Sequence, residues 1–140
     1  MKVIYESRGG TTKKLAEAIA ETLKIEIWDV NDGIDLTKIQ EDELLFVGSG
    51  CYYGKCGKKV IAFIRELKAS GKKVRMALFG TSGQKDAAVN SLRKVANKNG
   101  YLPLGDALNI KTKMFMFIPV PLKELHVNSA VNFAQRLTKN

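Results

Sequence analysis

The chain has 140 residues, of which 45% are hydrophobic and 26% charged, and its formal net charge is +9. This length fits one compact domain, residues 1–140, and the composition excludes a disordered or low-complexity chain. The charge is compatible with a nucleic acid, an anionic membrane surface or an acidic protein as partner, but the lysines lie in scattered pairs without interleaved aromatic residues, which argues against nucleic acid.

The first fifty residues alternate apolar strands with an amphipathic helix. A short apolar strand is predicted at 3–5, and a helix at 13–23, where apolar residues recur at helical spacing. Residues 25–30 alternate with period two and predict a second strand, and 36–39 predict a brief helical turn. The continuous apolar run 43–49 is typical of a central parallel strand buried on both faces.

The same alternation continues to the end of the chain. Glycines at 71 and 100 follow two predicted helices and are expected to end them. The remaining predicted elements are a helix at 60–67, a strand at 73–80, a helix at 87–99, a strand between 102 and 110, and a helix at 124–137.

Five strands that alternate with helices predict a doubly wound α/β domain, with a parallel sheet and helices on both faces. In such sheets ligands bind at the carboxyl ends of the strands, where the strand order reverses. The loops expected to form a site are therefore 7–12, 49–57, 80–85 and 111–121.

The first of these loops has the residue types that an anion requires. Ser7, Arg8, Gly9, Gly10, Thr11 and Thr12 combine hydroxyl donors, a fixed positive charge and a flexible backbone before a helix. Such a loop can bind a phosphate through backbone N–H groups and the helix dipole. The alternative is a tight strand-to-helix turn with a threonine as N-cap. The loop matches neither the Walker pattern nor G-x-G-x-x-G.

Three segments carry a family resemblance. Residues 3–19 resemble the opening of flavodoxins, whose phosphate loop reads [ST]-x-T-G-x-T, although Gly9 stands where the family has threonine. Residues 48–54 are similar to the family's G-S-P-x-Y-G loop, with Gly50 in place of proline, and residues 79–83 resemble the loop after the fourth strand. The resemblance to flavodoxin-like FMN-binding proteins implies a five-stranded parallel sheet of order 2-1-3-4-5.

The resemblance also implies FMN as cofactor, with its phosphate in the first loop, its ring stacked on Tyr52 or Tyr53, and its pyrimidine side near the fourth-strand loop. No catalytic and no metal-binding residue is predicted. The cofactor-binding residues implied are Ser7, Arg8, Gly9, Gly10, Thr11, Thr12, Ser49, Gly50, Cys51, Tyr52, Tyr53, Gly54, Gly80, Thr81, Ser82 and Gly83.

The function expected from this resemblance is electron transfer between redox partners, one of them with an acidic docking face. One alternative is an FMN-dependent oxidoreductase of the quinone reductase or protoporphyrinogen oxidase kind. Another is a binding module that keeps the fold without the cofactor. A cytoplasmic location is expected, because no run approaches the ~20 apolar residues of a membrane span and the N-terminus lacks a signal-peptide pattern. A monomer or weak homodimer is expected.

Other notable residues carry weaker expectations. Cys51 and Cys56 are too few for a disulfide framework, and their spacing is not a metal signature, so reduced thiols are expected. Cys51 is expected to be a small buried residue beside the flavin, with a redox role as the alternative. His126 is assigned no role. The apolar segment 114–118 is either a continuation of the last strand or a flap at the ligand end of the sheet.

Overall fold

The computed structural model describes residues 1–52, 54–83, 86–111, 114–115, 118–119 and 124–138. Short 3-10 turns lie at Val30–Asp32 and Leu36–Lys38. The strands and helices are, in chain order, β1 (Lys2–Glu6), α1 (Thr11–Leu23), β2 (Glu26–Asp29), β3 (Leu44–Gly50), α2 (Lys58–Ala69), β4 (Arg75–Ser82), α3 (Ala87–Lys98), β5 (Leu108–Lys111), β6 (Met114–Phe115), β7 (Ile118–Pro119) and α4 (Glu124–Thr138).

Strands β1 to β5 form a parallel sheet in the order β2-β1-β3-β4-β5, which confirms the predicted fold class and strand order. The register aligns Glu6 with Ser49 and Ser49 with Gly80, so that the carboxyl ends of β1, β3 and β4 lie side by side. The strand order reverses between β1 and β3. This edge of the sheet is where the fold places a ligand.

Hydrophobic side chains cover both faces of the sheet, as predicted from the uninterrupted apolar run of β3. Every residue of β3 is buried. Val47 and its neighbours pack against α2 and α3, whereas Phe46 belongs to a second cluster with α1 and α4. Phe46 meets Phe133 of α4 edge to face, with ring centroids 6.0 Å apart. The two clusters hold the strand ends, and thus the loops, in a fixed arrangement.

The region before and after β5 differs from its prediction. β5 starts at Leu108, inside the predicted range of 102–110, and ends one residue beyond it. The first part of that range is not in the strand, because Pro103 has no N–H for a strand ladder and Leu102 is 87% exposed. β6 and β7 pair antiparallel with each other outside the five-stranded sheet, so they do not continue β5. Met116 and Phe117 of the predicted flap lie outside the described residues. Within the described ranges, no helix is both long and apolar enough to span a bilayer.

Candidate functional site

Hydrogen bonds between the loops after β1, β3 and β4 bring them together at the carboxyl edge of the sheet. The Thr12 and Thr81 hydroxyls lie 2.8 Å apart and join the first loop to the fourth strand. The Arg8 N–H donates to the Tyr52 hydroxyl at 2.9 Å and joins the first loop to the loop after β3. Three of the four predicted loops, those after β1, β3 and β4, are therefore linked to one another.

The N-terminus of α1 is open to an anion. Gly10 precedes the helix with φ 85°, a left-handed conformation that favours glycine, and no described side chain caps the helix there. Its N–H donates to Ser7 Oγ at 3.1 Å, which closes the turn. Among the described residues, nothing lies within 4 Å of a Cβ built at Gly9 or Gly10, and the first turn of α1 has no acidic residue. These residues fit a phosphate, because the helix dipole and free N–H groups favour a negative charge.

Thr12 and Thr81 form a buried polar contact beneath this loop. Their exposed fractions are 1% and 5%, so each hydroxyl depends on the other for a partner in an apolar setting. The helix cap is Gly10 and not a threonine, so the alternative turn with a threonine N-cap is wrong. The Thr12 hydroxyl instead fixes the start of α1 against β4.

Tyr52 lies across the phosphate loop in this structure. Its hydroxyl accepts the Arg8 N–H, and the Arg8 guanidinium sits 4.1 Å from the centre of its ring, within cation–π range. Burial raises the pKa of the Tyr52 phenol, partly offset by the Arg8 hydrogen bond, so the phenol is neutral at pH 7. A Cβ at Gly50 would lie 2.9 Å from the Tyr52 hydroxyl. Glycine in place of the family's proline therefore allows this position of the ring.

The N-terminus of α2 is already occupied by a carboxylate that sequence analysis did not single out. Glu6, only 4% exposed at the end of β1, accepts the Val60 N–H at 2.9 Å. A Cβ at Gly57 would lie 2.1 Å from the carboxylate oxygen, so the close approach requires glycine. The sequence contained a feature that could have pointed to Glu6, because a glutamate at the end of an apolar strand is buried and needs a partner. Glu6 therefore fills the start of α2, whereas the start of α1 has no described side chain on it and α3 begins after Asp86.

Two predicted ligand residues, Ser49 and Gly80, make contacts that hold the loops together. Ser49 is fully buried, donates to the Gly50 carbonyl at 2.7 Å and accepts the Gly57 N–H at 2.9 Å. A Cβ at Gly80 would meet the Ser49 carbonyl oxygen at 2.9 Å and Ala88 at 2.8 Å. Both residues support the loops by allowing close packing of β3, β4 and α3.

The other predicted residues are placed as follows. Cys51 is partly exposed, so its expected full burial is wrong, while Cys56 is the buried cysteine. Ser82 is buried and Gly83 exposed at the end of β4, and Gly54 is exposed with φ 80°. Tyr53 lies outside the described residues, as does Lys85 at the end of the fourth-strand loop.

A groove of ≈ 390 Å³ opens beside Tyr52, at the start of α2. Its side chains are cationic or apolar, and among them Lys58 and Ile61 were not predicted as site residues. The lining residues are Arg8, Tyr52, Lys55, Cys56, Gly57, Lys58 and Ile61. The groove therefore presents positive charge next to the candidate cofactor site.

This geometry defines a doubly wound α/β protein with an uncapped helix start after its first strand. A family model described as a flavodoxin domain matches residues 2–116, and the chain thus belongs to the flavodoxin family. FMN is the cofactor that this membership assigns to it.

Individual proteins show the same likeness. An uncharacterized protein of Methanocaldococcus jannaschii is 29% identical over 108 residues, which are 74% of this chain and 70% of that protein. A solved flavodoxin from the domain Archaea is 23% identical with a TM-score of 0.77, covering 99% of this chain and 97% of its own. Rubredoxin oxygen:oxidoreductase from Desulfovibrio gigas is 14% identical with a TM-score of 0.76, covering 96% of this chain and 34% of that chain. The two structural matches establish a shared fold.

Proposed function

We propose that this protein holds FMN with the phosphate at the N-terminus of α1 and carries electrons between redox partners. The observation that supports this most is the open helix start at Gly10, at the point where the strand order reverses. The neighbouring helix start, at α2, is filled by Glu6. α3 also starts at this edge without a described side-chain cap, but it follows the acidic residue Asp86, so the start of α1 is the most favourable of the three for a phosphate.

The first loop would bind the phosphate mainly through the backbone N–H groups of residues 9, 11 and 12, joined by the Arg8 N–H once Tyr52 releases it, since the Gly10 N–H is bonded to Ser7 Oγ. The Thr12 hydroxyl can donate to the phosphate while it accepts from Thr81, because a hydroxyl donates one hydrogen bond and accepts others. Arg8 would supply the positive charge where Gly9 lacks the family's hydroxyl. When bound, FMN supplies reversible electron transfer, and the chain provides binding, orientation and exclusion of water.

Tyr52 would supply the aromatic contact for the flavin ring. One face of the tyrosine is covered by the Arg8 guanidinium, so the flavin uses the opposite face or displaces the guanidinium. The Tyr52 hydroxyl also occupies the Arg8 N–H that the phosphate would use. Binding of FMN therefore includes release of this hydrogen bond.

The groove beside Tyr52 would dock the acidic partner. Arg8, Lys55 and Lys58 line it, and no acidic residue is among its lining residues. With a net charge of +9, this surface favours a partner with carboxylates around its own redox centre. Association should then weaken as salt concentration rises, because exposed charges are screened.

The phosphate position can be tested by placing a negative charge at the start of α1. Thr11→Asp, with Thr11→Asn as the matched neutral control, keeps a short polar side chain at the first helical position. A charge about 6 Å from a phosphate dianion in water costs about 1.4 kcal/mol, or about tenfold in FMN affinity. Riboflavin, which lacks the phosphate, should bind both variants equally. Equal loss of FMN and riboflavin affinity in Thr11→Asp would contradict the phosphate position.

Flavin titration of the wild type also separates the competing functions. FMN fluorescence quenching with flavin absorbance in the purified protein supports a flavoprotein, and failure of both would leave a binding module. Steady turnover of quinones with a nicotinamide donor would support the oxidoreductase instead of the carrier.

A further inference from the structure

Cys51 and Cys56 stand on opposite sides of a tight chain reversal. The Tyr52 N–H donates to the Lys55 carbonyl at 2.7 Å, and the Lys55 N–H donates back to the Tyr52 carbonyl at 3.2 Å. These residues form an isolated antiparallel bridge, and the ladder does not continue to residues 51 and 56. The two cysteines are the next residues outward on either side of this hydrogen-bonded pair.

The positions next to a hydrogen-bonded antiparallel pair suit a disulfide. Such neighbours form a non-hydrogen-bonded pair, with Cα atoms about 4.5 Å apart and side chains on the same face. A disulfide requires a Cα separation of about 4.4–6.8 Å. We infer that Cys51 and Cys56 are a reversible dithiol–disulfide site at the base of the hairpin that carries Tyr52.

The surroundings of the two thiols give them different roles. Cys51 is partly exposed and is open to attack by a small molecule, whereas Cys56 is 3% exposed and its N–H is held by Ser91 Oγ at 2.9 Å. Burial raises the pKa of the Cys56 thiol, and the nearby charge of Cys51 also raises this pKa. Cys51 is therefore the thiol that reacts first, and Cys56 the one that resolves the intermediate.

The oxidant is a low-molecular-weight disulfide, RSSR. The Cys51 thiolate attacks one sulfur, which forms a mixed disulfide and expels RS⁻. The Cys56 thiolate then attacks the Cys51 sulfur, forms the intramolecular disulfide and expels the second RS⁻. Two protein thiols are oxidised, RSSR is reduced to two RSH, and the two thiol protons end on the released thiolates.

A metal site is not an alternative for this pair among the described residues. No group of three or more His, Cys, Asp or Glu side chains that could hold a metal ion occurs there. The disulfide would close a loop with four residues between the cysteines and fix Tyr52 and Lys55, both of which line the basic groove. Oxidation would thus change the surface beside the flavin site.

Thiol counting on the flavin-free full chain tests this inference without depending on FMN. The protein is incubated with oxidised glutathione, the reaction is quenched in acid, and the remaining thiols are alkylated. The mass of the product is then measured by mass spectrometry. We expect a species that has lost two hydrogens, takes up no alkylating reagent and yields a peptide pair linked at 51 and 56. Incubation with reduced glutathione should restore both thiols.

Cys51→Ser and Cys56→Ala are the matched variants. Cys56→Ala should accumulate a stable glutathione adduct at Cys51, because the resolving thiol is missing, while Cys51→Ser should remain largely unmodified in the folded state. Circular dichroism and urea unfolding verify that each variant is folded. A persistent glutathione adduct on the wild type, or two alkylated thiols after oxidation, would overturn the inference.

Discussion

Tyr52→Phe should increase the affinity of this protein for FMN. The substitution removes the phenol oxygen that accepts the Arg8 N–H at 2.9 Å and keeps the ring under the guanidinium, 4.1 Å from it. In the wild type, a phosphate that binds this N–H must first displace the phenol. In the variant, the N–H is already free of the tyrosine.

The size of the effect follows from the hydrogen bond that is lost. A hydrogen bond between neutral groups contributes about 0.5–1.5 kcal/mol net, which corresponds to about 2- to 13-fold in affinity. Because this bond lies at an exposed position, the lower half of that range is expected. Gly50→Ala should act in the same direction, since its Cβ would lie 2.9 Å from the Tyr52 hydroxyl and push it away.

Fluorescence quenching titrations with FMN and riboflavin measure the effect. The gain should be larger for FMN, because riboflavin has no phosphate to compete for the Arg8 N–H. Unfolding in urea serves as the control for fold integrity. If folded Tyr52→Phe bound FMN no more tightly than the wild type, competition at this N–H would be refuted.

Three further predictions concern stability and are measured by urea unfolding. Thr81→Val leaves the buried Thr12 hydroxyl without its partner and should lower the free energy of unfolding by about 1–3 kcal/mol; an unchanged value would contradict the role of that hydrogen bond. Gly48→Ala would place a Cβ 2.2 Å from the Phe79 ring and should cost about 1–3 kcal/mol, and full stability would show that the ring can move aside. Arg136 of α4 forms an ion pair with Asp106 and donates hydrogen bonds to its carboxylate, which lowers the pKa of Asp106. The stabilisation by this pair is therefore present above the ordinary aspartate pKa and is lost as pH falls through the lower folded value. The stability difference between wild type and Asp106→Asn should therefore shrink toward acid pH, and a constant difference would argue against this ion pair.

The sequence by itself determined the architecture and indicated the edge of the sheet at which the candidate site lies. The uninterrupted apolar run of β3 required cover on both faces, and helices between successive strands required parallel pairing with crossovers. Parallel pairing puts all carboxyl ends at one edge, so the loops after β1, β3 and β4 were predicted together from their order alone. The same local pattern located the glycines of the first loop. Because these glycines stand between a predicted strand and a predicted helix, they were expected to lie at the start of that helix, where Gly10 is found.

Only the tertiary structure decided which group each loop residue contacts. Thr12 and Thr81 are 69 positions apart, Glu6 and Val60 are 54 apart, and the Arg8 N–H meets a hydroxyl 44 positions away. Helical or strand periodicity reports which face a residue occupies, but it carries no information on which distant residue shares that face. The occupied start of α2 and the open start of α1 therefore became distinguishable only once the chain was folded.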